Sequence, residues 1–414
     1  MEKFLKNAWY VGAWGTEVGR QNLLRRTLLN EPVVFFRQED GTPVALADKC
    51  AHRHAPLSEG KLVGDNIQCP YHGLEYDASG DCVRVPGQST IPPGCRVHSF
   101  PVVERYQWIW VWMGDPALAN PDDIEDFHWM DAPGWRAKGE RMHLKANYKL
   151  LIENLLELSH LSYVHAKTLG TDAVAEAQMN FDRGERHVTL TRWIMDSPVS
   201  SMFQKLGRFE VNEHVDRWQH ITWTPPAFVR LDVGAAKAGT GAENGDRSQG
   251  FTMRNLNAIT PETDKTTHYF WAQAHDFRTD EPWITDLLVA NVHEAFLEDL
   301  WIIGLQQENI DAGTSPHRID INHDGGGLQA IKTLEAMIAE EKIADAEAAK
   351  IAKVAEAARL LDGPIDVLVC SSGVGQRTAA VDTDQRWLAP PISVGAAIVA
   401  RPVSRRMSAA KCVW

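Results

Sequence analysis

Apolar runs four or five residues long, broken by turn residues, dominate the first 115 positions. Val33-Val34-Phe35-Phe36 precedes the turn Glu39-Asp40-Gly41, and Val44-Ala45-Leu46 follows it. Trp108-Ile109-Trp110-Val111-Trp112 closes the stretch before Gly114-Asp115-Pro116. Runs bounded in this way read as the short strands of a small β domain. A Pro- and Asp-rich connector, Asp115 to Pro133, leads to a helical pattern from Tyr148 to about His165. Strand patterns return in Val188-Thr189-Leu190-Thr191, in Ala227 to Leu231 and around Thr267 to Ala274, and a long helical pattern runs from about Trp283 to Glu308. Residues 329 to 361, rich in Ala, Glu and Lys, predict a solvent-facing helix. No internal repeat is visible. The fold class is therefore α+β, a β-rich N-terminal domain followed by an antiparallel sheet flanked by helices, with boundaries expected at 1–115, 116–355 and 356–414.

Composition narrows the function classes. The 414 residues carry 44% hydrophobic side chains and 15 tryptophans, enough for a large core and more than one domain. A net charge of −13 argues against nucleic acid or an anionic membrane surface as partner. The N-terminal MEKFLKNAWYVGAW has no continuous apolar segment of a secretory signal, and no apolar run approaches membrane-spanning length. Cys82, Cys95, Cys370 and Cys412 lack disulfide-framework spacing, which fits thiols in a reducing cytoplasm. Near the end, Ile365 to Val369 precedes Gly373-Val374-Gly375, a superficial strand and phosphate loop. Without a completed G-x-G-x-x-G or a following helix, no nucleotide site is expected there.

The candidate chemistry begins with Cys50-Ala-His52, a 16-residue gap, and Cys69-Pro-Tyr-His72. Two thiolates for one iron and two imidazoles for the other suit a Rieske-type [2Fe–2S] cluster. The same four residue types also suit tetrahedral zinc, but a zinc finger usually pairs Cys with Cys and His with His.

A second constellation is Asn154, Glu157, His160 and His165. Histidines five apart lie roughly 140° apart on an ideal helix, so a regular helix cannot aim both at one metal; a loosened or bulged one can. A carboxylate would complete such a site, and the Trp283–Glu308 stretch offers Glu294, Glu298 and Asp299. Asp299 falls on the apolar stripe of Val292, Phe296 and Ile303, where an ionised carboxyl needs a cationic partner. Glu294 and Glu298 lie on lines that are more easily solvated.

The strings CAHRHAPLSEG and CPYHGLEYD, NYKLLIENLLELSHLSYVHAKTLG, VDRWQHITWTPP and the NHDGGGLQ run resemble the Rieske non-haem iron oxygenases over about residues 5 to 355. YHGL in place of the commoner YHGW fits their demethylase branch, the oxygenase subunits of vanillate and, more distantly, dicamba O-demethylases. Ala290 departs from the latter, which carry a tryptophan near that position. The resemblance implies a cluster on Cys50, His52, Cys69 and His72, and a mononuclear Fe(II) held by His160, His165 and Asp299. Asn154 matches an asparagine near that iron. Glu157 stands where the family usually has Asp, a bridge from the iron-ligand His160 of one subunit to the cluster-ligand His72 of its neighbour in a homotrimer. Arg230 and Asn257 fall near the substrate contacts of the demethylases. Implied too are O2, a small aromatic substrate, and a separate NADH-dependent reductase carrying flavin and a plant-type ferredoxin centre, since the chain itself has no C-x4-C-x2-C and no dinucleotide fingerprint. The expected reaction is O-demethylation of a methoxylated aromatic acid such as vanillate, through a hemiacetal that collapses to a phenol and formaldehyde. N-demethylation, alkyl hydroxylation and ring dihydroxylation need the same metal sites, and a Rieske electron carrier is the alternative from another class.

Overall fold

The computed structural model describes residues 4–165, 179–313, 318–359, 365–371 and 396–402. Gly373-Val374-Gly375 and the chain beyond Pro402 lie outside these residues.

The N-terminal region is built from three small antiparallel sheets. One centres on Trp108–Trp112, flanked by Trp9–Trp14 and Val102–Arg105. Because successive side chains alternate, this all-apolar strand feeds two cores at once. Ile109 and Val111 join Tyr10 and Phe35, whereas Trp108, Trp110 and Trp112 join Phe127, Phe228 and Phe270. The second group ties the N-terminal region to the sheet that follows. A second sheet, ordered Leu24–Leu28, Glu31–Arg37, Pro43–Ala47 and Ser99–Phe100, backs it. The third, Lys61–Val63, Asn66–Gln68, Glu75–Tyr76 and Cys82–Arg84, carries the loop tips.

The region after residue 115 is built on a seven-stranded antiparallel sheet, in the order Arg136–Leu144, Thr267–His275, Gly250–Pro261, Phe228–Lys237, His214–Thr224, Val188–Pro198, Met179–Arg183. Its faces have different partners. Phe228, Leu256, Phe270 and Ala272 pack toward the tryptophan strand; Trp223, Val229, Ile259, Tyr269 and Trp271 share a core with Phe296 and Ile303 of the helix Pro282–Ala312. That 31-residue helix starts on Pro282 and stops at Gly313, whose φ of 64° suits glycine. A short helix, Tyr148–Leu155, is capped by the Asn147 side chain, which accepts from the Lys149 amide at 2.9 Å.

The Ala/Glu/Lys-rich segment is helical from Gly325 to Arg359. Its first part is not the solvent-facing element that composition suggests: Ala330, Leu334 and Ile338 are buried one turn apart. The NHDGGGLQ glycines make this possible, since a Cβ on Gly326 would lie 2.8 Å from the Leu190 side chain and one on Gly327 would lie 3.2 Å from the Glu153 Cα. The regions on either side of residue 115 form one compact unit through Ile338; a second begins at Ala339 and includes the antiparallel pair Ile365–Ser371 and Ala396–Pro402. Among the described residues no helix is long and apolar enough to cross a membrane.

Candidate metal centres

The Cys50 and Cys69 loops repeat one backbone design. The Cys50 amide donates to the Ala55 carbonyl (2.9 Å) and the His54 amide returns to the Cys50 carbonyl (2.9 Å). Likewise the Cys69 amide donates to Leu74 (2.8 Å) and the Gly73 amide to Cys69 (3.0 Å). The fourth residue after each cysteine turns left-handed, His54 at φ 57° and Gly73 at φ 72°. Both sulfurs are buried, while His52 and His72 project outward with ring centroids 4.5 Å apart. The Tyr76 hydroxyl lies 3.2 Å from the Cys50 sulfur and also accepts from the Ala51 amide at 3.2 Å. Burial foremost, with the adjoining Cys50 thiol, raises the Cys69 pKa, so the thiolate there needs a cation to stabilise it. Two buried sulfurs below two exposed imidazoles fit a cluster with one deep and one surface iron.

The second site shows how two histidines five apart come to face each other. The helix ends at Leu155, Leu156 to Leu158 are irregular, and Ser159–Ser162 form a 3-10 turn. This break brings the His160 and His165 rings to 5.3 Å. Asp299, 2% exposed, reaches both: its Oδ1 is 3.1 Å from His165 Nε2 and 3.6 Å from His160 Nε2. One ligand atom from each of the three residues lies within 4.8 Å of the others. The helical phase of Asp299 thus corresponds to its burial, and the partners it meets there are the two imidazoles.

Each ring is held by its other nitrogen. His160 Nδ1 donates to the Glu157 carbonyl at 2.5 Å, and His165 Nδ1 to Glu298 Oε2 at 2.7 Å. A proton on each Nδ1 leaves the Nε2 lone pairs directed at the common point, the arrangement that orients metal-ligating imidazoles. Glu298 is the residue that sequence reasoning missed. Its helical line is half-solvated, as expected, yet one edge reaches His165; the available signal was its adjacency to Asp299. Burial would lower the His165 pKa, but Asp299 and Glu298 outweigh it and raise it.

Asn154 approaches Asp299 rather than the histidines, its Nδ2 donating to Oδ1 at 3.2 Å, and its own buried Oδ1 has no hydrogen-bond partner among the described residues. Glu157 contacts His160 differently from expectation. Its carboxylate stands 3.7 Å from Nδ1 and accepts from the Ser159 amide at 2.6 Å, while the backbone carbonyl makes the close contact. Burial would raise the Glu157 pKa, but His160 and Ser159 bring it down to about 2.

The two expected substrate residues separate. Asn257 sits on the face toward the long helix, fully buried, with its amide donating to the Val229 carbonyl (2.9 Å) and Asn255 Oδ1 (2.8 Å) and its oxygen accepting from the Tyr269 hydroxyl (2.7 Å). Arg230 is one residue from Val229 and pairs in register with Leu256, so it points to the opposite face, where it meets Glu125 at 3.1 Å. The expectation that it lies near the substrate is therefore corrected: it stands on the face away from the helix that carries Asp299. Strand alternation, which the sequence alone could not phase here, decides it.

Comparison with known proteins agrees with this geometry. Residues 8–101 match the Rieske [2Fe-2S] domain and residues 144–340 the vanillate O-demethylase oxygenase C-terminal domain. The chain is 42% identical to the toluene-4-sulfonate monooxygenase system iron-sulfur subunit of Comamonas testosteroni, covering 82% of this chain and 98% of that one. Identity to the vanillate O-demethylase oxygenase subunit of a Pseudomonas species is 35%, over 85% and 99%. A crystal structure of dicamba monooxygenase with non-heme iron and dicamba superposes with a TM-score of 0.70 at 32% identity, over 82% and 99%.

Proposed function

This chain belongs to the Rieske non-haem iron oxygenases, whose cofactors are a [2Fe–2S] cluster and a mononuclear iron, and on that premise we propose that it O-demethylates a methoxylated aromatic acid such as vanillate. The observation that carries the reading is the joint arrangement of His160, His165 and Asp299 in a chain that aligns over 85% of its length with a vanillate demethylase subunit.

Cys50, His52, Cys69 and His72 would hold the cluster, and His160, His165 and Asp299 the iron. When bound, these groups supply the one-electron and O2 chemistry. The chain's own residues do the rest. Glu298 and the Glu157 carbonyl fix the two rings, and Asn154 holds the Asp299 oxygen. The apolar wall of Trp223, Val229, Tyr269, Trp271 and Phe296 excludes water and positions an aromatic ring. In a homotrimer Glu157 would join His160 to His72 of the partner subunit, and electrons would come from a separate NADH-dependent flavin and ferredoxin-type reductase.

A second reading follows from the 42% identity to the toluenesulfonate subunit: hydroxylation of the methyl group of an aromatic sulfonate. A single turnover of the chemically reduced protein with O2 distinguishes the two. Formaldehyde and protocatechuate from vanillate support O-demethylation. A benzylic alcohol from 4-toluenesulfonate, with no formaldehyde from any methoxybenzoate, replaces it with alkyl hydroxylation. Iron at two atoms per chain rather than about three would instead indicate an electron carrier.

A further inference from the structure

A buried cation on the iron-side face of the large sheet has no balancing acid among the described residues. Arg217 of the strand His214–Thr224 is 8% exposed. It shares its face with Ile221 and Trp223, the residues that pack toward the long helix. Among the described residues no carboxylate lies within ion-pair distance of it; its contact is the Phe203 ring, with the guanidinium carbon 4.8 Å from the centroid. The neighbouring strand adds a second charge. Arg192, 2% exposed, lies opposite Gln219, and Ile194 lies opposite Arg217. The two arginines are therefore diagonal neighbours on one face, with Gln219 between them. Burial foremost, then the charge on Arg192, lowers the Arg217 pKa to about 10, which leaves it protonated at neutral pH. Glu157, beside His160, counteracts the lowering of Arg192 and places that arginine within electrostatic reach of the iron site.

A guanidinium out of water needs an anion, because desolvation without a partner is strongly unfavourable. The carboxylates of the described residues do not provide one for Arg217. We infer that Arg217, with Arg192 and Gln219, forms the anion-binding end of the substrate pocket and takes the carboxylate or sulfonate of an aromatic acid. The planar fork of each guanidinium suits two oxygens of either group. This assignment rests on the aromatic-acid reading above, and it transfers to Arg217 the role that sequence reasoning gave to Arg230.

The test is calorimetric titration of the metal-loaded protein with 4-methoxybenzoate and 4-toluenesulfonate, and with the uncharged 4-methoxybenzamide and 4-toluenesulfonamide. Native protein should prefer each acid to its amide, and the tighter acid identifies which anion the site is built for. Arg217→Leu should raise the Kd of the acids at least about tenfold, as loss of a charged hydrogen bond implies, with less than a twofold change for the amides. Arg217→Lys should recover part of the acid affinity. Fe(II) binding at His160, His165 and Asp299 that matches the native protein establishes that the sheet and long helix of each variant are folded, as the cluster spectrum does for the N-terminal region. Equal losses for acids and amides, or no loss for the acids, would overturn the inference while leaving the oxygenase reading intact. A native protein that binds amides as well as acids, yet oxidises a neutral aromatic in single turnover, would overturn both this site and the aromatic-acid substrate class.

Discussion

The two metal-binding regions solve the same problem with opposite economies of chain. At the cluster, everything comes from Cys50 to His72, and a repeated amide-to-carbonyl pattern between near neighbours shapes each loop. At the iron site, two ligands come from a broken helix and the third from the middle of a helix that starts only at Pro282. The first site is a local property of sequence, whereas the second exists only when the sheet and the long helix pack. The difference implies that the iron site can be dismantled without disturbing the cluster, and the tests below begin there.

The largest expected effect belongs to Asp299→Ala. Removing the shared carboxylate should abolish turnover while the visible spectrum of the cluster persists; iron analysis and single-turnover product measurement check this. Turnover that survives would take Asp299 out of the site. Glu298→Gln is a finer cut, because it leaves all three ligand atoms and weakens only the anchor of His165. Loss of such an outer carboxylate typically costs roughly 10–100-fold in metal affinity, readable as an equal rise in the Fe(II) Kd with the cluster spectrum unchanged.

How much of this was legible follows the same division. The cluster residues stood out because their spacing is short and their chemistry unusual. Asp299 was accessible through helical phase, since a carboxylate on an apolar stripe conflicts with burial unless something cationic awaits it. Glu298 escaped because it obeys the solvation pattern and contributes through one edge. The Arg230 assignment failed for another reason: a one-residue shift on a strand moves a side chain to the other face, and which face meets the long helix is fixed by packing, not by the strand's own residues. The break after Leu155 was required by the geometry of His160 and His165, but its position was not.

Glu157→Gln tests whether the two regions communicate. With its pKa near 2, Glu157 stays ionised throughout the working range, so the glutamine removes a full charge. The sign follows from the lowered pKa: its contribution to stability is present above about pH 4.5 and is lost as pH falls toward 2. At neutral pH both metal sites should stay loaded, because the His160 contact is made by the backbone carbonyl, while product per reduced cluster falls several-fold. Unchanged coupling would remove the side chain from the electron path.

The smallest effect sharpens the comparison from the cluster side. Burial foremost, and then the Cys50 sulfur, holds the Tyr76 phenol well above its ordinary pKa, so it remains a donor to that sulfur. A hydrogen bond to a cluster ligand stabilises the reduced, more negative state and raises the reduction potential. Tyr76→Phe removes one such bond, of about 1 kcal/mol, and since only the part of it that differs between the redox states counts, the shift has a ceiling of roughly 40 mV for one electron. The midpoint should therefore move down within that ceiling in protein-film voltammetry, with Fe(II) affinity at His160, His165 and Asp299 unaltered. A change in that affinity would mean that the two regions are mechanically linked through their shared core, and that the independence inferred from their construction is wrong.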